Sequence, residues 1–221
     1  MSLWSESADI ISALASNDAW EIREALKSDA AWYVGTLAAA LGGLAVMGLY
    51  RLVPFIERHL ERTIMVVSYL AIAFIIFWGV VDRFVFSSQE PWSTTIPPLL
   101  FMVMAWFGAS YNVRLRTHLS FSEFRSRMPR GGQFFCLCLD NVLWFIFAVI
   151  VFVTTCRVAA LSASNFQIVL GTDDVLQWWF LVTAPLAFVL MVARLWQNFF
   201  EDVDNLKQNE PLIRQAVIGG D

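Results

Sequence analysis

The stretch FFCLCLDNVLWFIFAVIVFVTTC, residues 134–156, contains one carboxylate, Asp140, and no basic residue. A helix of that length rises about 35 Å, enough to cross roughly 30 Å of bilayer hydrocarbon. The apolar residues run continuously instead of alternating, which argues against a strand.

Working outward, four further runs approach the same length: 31–50, 64–81, 96–113 and 175–193. None of these four contains a carboxylate or a basic side chain. Five such runs are far too few for a closed barrel, and an open sheet cannot satisfy its edge groups in lipid. The predicted fold class is therefore an all-α membrane protein, a bundle of transmembrane helices. Composition agrees, with 58% hydrophobic residues, 15% charged residues and a mean hydropathy of +0.60, against about 45–50% and about 25% in soluble domains. Little chain remains for a soluble domain.

Just before the opening stretch lies RLRTHLSFSEFRSRMPRGG, residues 114–132, with five arginines and one glutamate. An arginine block can mark a nucleic-acid surface, yet this chain carries a net charge of -4. Threading five spans puts 51–63, 114–133 and the tail after 193 on one side, which then holds eleven of the fifteen Lys and Arg residues. The positive-inside rule makes that side cytoplasmic. The block is a topology signal, and no nucleic-acid partner is expected. The acidic segment 1–30 (Glu6, Asp9, Asp18, Glu21, Glu24 and Asp29 against Arg23 and Lys27) then sits outside, and the C-terminus in the cytoplasm. The N-terminus shows no signal-peptide pattern.

Residues 31–50 are rich in Ala and Gly, so this run inserts less favourably than a Leu-rich one. Gly35, Ala39 and Gly43 recur every fourth residue, the small-residue spacing that lets membrane helices approach closely. Their partner is either another helix of this chain or another subunit. Residues 51–62 read as an amphipathic interfacial helix, with Leu52, Phe55, Ile56 and Leu60 opposite Arg51, Glu57, Arg58, Glu61 and Arg62. Ser120 to Glu123 form a capping box ahead of a second such segment. The tail 197–221 supplies a third, in which Phe199, Phe200, Val203 and Leu206 oppose Glu201, Asp202, Asp204 and Lys207.

Catalytic and cofactor signals are sparse. The two histidines, His59 and His118, sit at flanks and do not form a mid-membrane haem pair, and Cys136, Cys138 and Cys156 lack metal-site spacing. No cofactor and no metal is expected. Asp140 lies a turn or two from the cytoplasmic end, where an arginine such as Arg114 or Arg130 can reach it, so it is a candidate for a structural ion pair. Pro185 marks a kink in the last run.

From about residue 57 to residue 210 the chain resembles the small membrane subunit, the Q component or DctQ-like family, of tripartite ATP-independent periplasmic (TRAP) transporters. The resemblance rests on Arg83-Phe84-Val85-Phe86 closing a span, Pro91-Trp92 in the next loop and Gly108-Ala109-Ser110 late in the following span. Arg114, His118 and the segment leading to Pro129 complete it. One departure is that Trp92 is followed by Ser93, Thr94 and Thr95, where the family pattern carries an acidic residue. The resemblance implies four family-like spans within 63–196, with 31–50 as an extra N-terminal span. It also implies a non-enzymatic bacterial inner-membrane subunit that braces a large elevator subunit. That machine takes up an organic acid, a carboxylate or sulfonate, with sodium, after delivery by a periplasmic binding protein. Arg83, Trp92, Gly108, Arg114 and His118 are then candidates for contact with the large subunit or with membrane phospholipid. Two readings stand beside this one: an adaptor that stabilises another membrane complex, and a lipid-modifying enzyme, for which His59 and His118 are too isolated.

Overall fold

The computed structural model describes residues 3–88, 90–116, 125 and 127–212. The helices are α1 (Leu3–Ser16), α2 (Ala19–Ala25), α3 (Ala30–Leu52), α4 (Pro54–Phe84), α5 (Trp92–Leu115), α6 (Arg130–Ser164), α7 (Trp178–Leu181) and α8 (Thr183–Lys207). Among the described residues the only β pairing is an isolated bridge between Ile168 and Leu176. Five helices, α3, α4, α5, α6 and α7–α8 together, are long and apolar enough to cross a membrane.

Local chemistry sets the boundaries. The Asp18 carboxylate accepts from Trp20 N at 2.7 Å and Glu21 N at 3.3 Å, capping α2. Pro54 ends α3 and opens α4, because Val53 before it is pushed out of helical geometry while proline's fixed φ suits a first turn. Arg116, at φ 53°, turns the chain out of α5 in the left-handed region.

Helix α8 is the hub. It packs against α3, α5 and α6, and half of its apolar stretch is buried, against 11% for α4. Phe188, Met191, Val192 and Leu195 of α8 form the core with Ala39, Val113, Ala148, Val149 and Val153. The stripe Gly35, Ala39 and Gly43 faces inward. A Cβ on Gly43 would sit 2.6 Å from Val192 Cγ1, and one on Gly35 would collide with Val153 Cγ2. The stripe's partners are thus α8 and α6 of this chain.

Two expected surface helices differ in the structure. Residues 54–62 are the first turns of the 31-residue α4, and 197–207 are the last turns of α8. Helix α4 is about 46 Å long, so its first turns extend past the hydrocarbon in line with the span. The faces differ as well. Glu61 and Asp202 are buried and Leu52 and Phe55 exposed, while Ile56 and Leu60 pack on Met47, Tyr50 and Ala193 as an apolar face should. The capping box at 120–123 lies outside the described residues.

At the end of the bundle away from the arginine-rich loops, Arg157 of α6 donates from Nε to Leu26 O at 2.8 Å and from Nη2 to Ser28 O at 3.2 Å. Its guanidinium also lies over the Trp32 ring. One side chain therefore fastens the α2–α3 junction to α6.

Candidate functional site

At the arginine-rich end, α4 and α8 are joined by a buried polar clamp. Arg194 is 1% exposed and Glu61 1% exposed. The guanidinium donates from Nε to both Glu61 carboxylate oxygens at 3.0 and 3.2 Å, and from Nη2 to Oε2 at 2.7 Å. Nη2 also reaches Glu57 O at 2.7 Å, and Nη1 reaches Gln197 Oε1 at 2.8 Å. Gln197 in turn donates to Glu57 Oε1 at 2.9 Å. Ser110 of α5 donates to Glu61 Oε1 at 2.9 Å. The Tyr50 ring of α3 stacks on the guanidinium at 4.3 Å, a desolvated contact of about 2 kcal/mol. Four helices thus converge on one buried cation, whose donors are satisfied as a dry site requires.

A second polar layer joins α5 to α8. Asn198 donates to Val113 O at 2.9 Å, and Arg114 pairs with Glu201 at 3.1 Å. Arg116 donates to Asn198 O at 3.1 Å and forms an ion pair with the buried Asp202, 2.7 Å from its Oδ1. Arg130, at the start of α6, donates to Asn209 Oδ1, Asn205 O and Glu210 O, closing the C-terminal turn of α8. Arg125 holds Asp140 through both oxygens, with Nη2 to Oδ1 at 3.0 Å. That hydrogen bonding raises the Arg125 pKa, keeping the guanidinium charged at any workable pH.

The lateral surface is different. Helix α4 packs chiefly on α5, and the pair leaves a long furrow along one flank. One part, of about 520 Å³, is lined by Met65, Tyr69, Met104, Ala105, Gly108 and Asn112. Another, of about 690 Å³, is lined by Ile76, Gly79, Arg83, Thr94, Pro97 and Phe101. On α4 these positions follow each other at three to four residues, and on α5 likewise, so both parts lie along a single flank. Small residues form the floor, and Tyr69 and Phe101, 61% and 58% exposed, form the walls. Among the described residues no group of His, Cys, Asp and Glu could hold a metal ion.

The family model for the DctQ component of tripartite ATP-independent periplasmic transporters matches residues 72–205. The chain belongs to the DctQ family. It is therefore a small membrane component of a TRAP transporter, a family that works with a large membrane subunit and a periplasmic binding protein. A comparison with curated proteins found no match. Helix α3 and the N-terminal helices lie before the matched DctQ segment.

Of the expected contact residues of this DctQ component, Arg83 and Gly108 line the two parts of the same furrow. A Cβ on Gly108 would meet Met65 Sδ at 3.1 Å. Trp92 lies elsewhere, beneath the loop before α7. There Gly171, at φ +81°, would bring a Cβ within 2.7 Å of Trp92 N, and Thr95 donates to Leu170 O at 2.7 Å. Arg114 is engaged within the chain. Asp140 pairs with Arg125, while Arg114 and Arg130, the partners the sequence suggested, serve α8. His118 lies outside the described residues.

The Arg194 clamp escaped sequence reading because Arg194 stands one residue beyond the apolar run that ends at Ala193. A signal was present: Glu57 and Glu61 are four apart, and Arg194, Gln197, Asn198 and Glu201 recur at three to four, marking one polar stripe per helix.

Proposed function

We propose that this DctQ component is the stationary, non-catalytic small subunit that braces the large membrane subunit of a TRAP transporter. The large subunit seats on the α4–α5 furrow. In this reading residues 1–30 face the periplasm and the tail 197–221 the cytoplasm, and residues 63–196 form the family-like membrane domain. The machine takes up an organic acid, a carboxylate or sulfonate, together with sodium, from a periplasmic binding protein. Family membership is what supports the substrate class and the coupling ion in this reading.

The furrow is the observation that carries the brace reading. Lipid tails are as apolar as leucine side chains, so membrane helices associate where small residues allow close backbone approach. Gly79, Ala105 and Gly108 offer such a floor, and α4 beside it is the least embedded of the five spans. The clamp supports the same role. A brace must keep its shape while its partner moves, and a buried, fully paired guanidinium shared by four helices opposes their sliding.

The test is co-purification with the neighbouring gene products in mild detergent. Ala105 is exposed, so Ala105→Trp fills the furrow without an internal clash. It should abolish recovery of a much larger multi-span protein and sodium-dependent uptake in liposomes, while leaving the thermal midpoint of the isolated chain unchanged. Leu41→Trp, on the exposed face of α3, is the control and should keep both. Full recovery of the large subunit with Ala105→Trp would remove the furrow as its seat. Recovery of an unrelated complex would favour the adaptor reading.

A further inference from the structure

Helix α1 precedes the matched DctQ segment, and its surface divides into three sectors. Ile10 and Ala13 are buried, and Ile10 belongs to the core cluster that contains Ala30 and Ala31 of the first turn of α3. Ser5, Asp9, Ser12 and Ser16 form an exposed polar arc. Trp4, Ile11 and Leu14 form an exposed arc, at 88%, 63% and 56% exposure, with Ser7 between them and its hydroxyl donated to Leu3 O at 2.8 Å, so the arc is apolar apart from one hydroxyl already bonded to the backbone. At 100° per residue the apolar and polar arcs lie nearly opposite each other, with the buried arc between them. A helix free in water, with one side on the bundle, has no reason to separate its two remaining sides in this way. A helix lying flat at a lipid boundary does: its flank meets the protein, its lower side meets acyl chains and its upper side meets water.

The depth of α1 agrees. It packs against the start of α3, a span that opens with Trp32-Tyr33, and Tyr33 is 60% exposed. Aromatic residues at a span end mark the headgroup level. Trp20 of α2, also 60% exposed, sits in the same terminal assembly. Arg157 fixes that assembly to α6 through the Leu26 and Ser28 carbonyls, so α1 is held at the mouth of the bundle.

We propose that α1 is an interfacial anchor lying in the lipid boundary at the end of the bundle opposite the arginine-rich loops, with Trp4, Ile11 and Leu14 among the upper acyl chains and Asp9 and Ser12 toward water. The occupant of the apolar arc is lipid, not a protein. Its role is to resist tilting of α3 and of the helices packed on it. The assignment does not depend on which large subunit the chain binds.

The test uses the full chain, with any large subunit that copurifies, in nanodiscs of phosphatidylethanolamine and phosphatidylglycerol. Cys136, Cys138 and Cys156 are replaced by serine, and spin labels are placed singly at Trp4→Cys, Ile11→Cys, Asp9→Cys and Ser12→Cys. Collision with dissolved oxygen should exceed collision with a water-soluble nickel chelate at positions 4 and 11, and the ratio should reverse at 9 and 12. Nickel dominance at all four positions would place α1 in water, and protection from both reagents at 4 and 11 would mean a protein covers it; either result overturns the proposal. A second measurement keeps the native cysteines. Quenching of tryptophan fluorescence by lipids brominated high on the acyl chain should fall on Trp4→Phe substitution, and an unchanged quenchable fraction would also overturn it.

Discussion

Replacing Arg194 with methionine should strongly destabilise the chain. The substitution removes three contacts to the Glu61 carboxylate, at 2.7, 3.0 and 3.2 Å, and leaves that carboxylate 1% exposed. Ser110 then offers Glu61 a single hydroxyl in place of a full positive charge. Removing one partner of a buried ion pair costs about 3–5 kcal/mol, because the surviving charge keeps its desolvation penalty. With about 2–4 °C of midpoint per kcal/mol for a chain of this size, the thermal midpoint in detergent should fall by roughly 6–20 °C. The double variant Arg194→Met with Glu61→Met separates the charge effect from simple loss of packing. Replacing a buried pair by apolar side chains is neutral or stabilising by about 1–4 kcal/mol in other proteins, while Ser110 loses an acceptor at about 1–3 kcal/mol. The double variant should therefore regain at least half of the loss. Thermal unfolding followed by intrinsic fluorescence reads both variants. A single variant within about 2 °C of the parent, less than one kcal/mol on that scale, would refute the claim that the pair is held dry. A double variant no better than the single would show that packing, not charge, sets the cost.

Three other outcomes follow from the same contacts. Gly43→Val forces a Cβ to 2.6 Å from Val192 Cγ1 and should cost about 1–3 kcal/mol or more by overpacking, whereas Gly48→Ala, with open space at its Cβ, should raise the midpoint by up to about 1 kcal/mol of helix propensity; equal effects would sink the packing account of α3. Arg157→Ala removes two hydrogen bonds from a charged donor, each about 1.5–3 kcal/mol, so limited proteolysis of vesicles should cut between 26 and 29 much faster than in the parent. Asp140→Asn touches a partly exposed pair and should change stability by only about 0–1 kcal/mol, with the difference shrinking in high salt; a larger loss would mean that the pair is more desolvated than its exposure indicates.

Much of the architecture was legible in the sequence. The five spans could be read from run length because the bilayer admits few alternatives to a helix once an apolar segment is long enough. The Gly35, Ala39 and Gly43 stripe was legible as a packing surface, since only small residues allow that approach, though not whether its partner was internal. The polar faces of residues 54–62 and 197–207 were visible as periodic, yet their direction was not. Amphipathicity fixes that a helix has two sides, and only the neighbouring helix decides which side turns inward. Here Arg194 on α8 draws Glu61 into the core, which leaves Phe55 on the same helix outside.

The sequence by itself determined that the chain is a helical membrane protein, which loops carry the positive charge, and the family to which it belongs, because these depend on composition and order along the chain. Only the tertiary structure decided which arginine meets which carboxylate, that α8 is the hub and that α4 and α5 leave a furrow on one flank. Those features join residues far apart in the chain, 137 positions in the Arg194 and Glu57 contact, and a pairing over that distance is selected by the packing of whole helices, which local sequence does not encode.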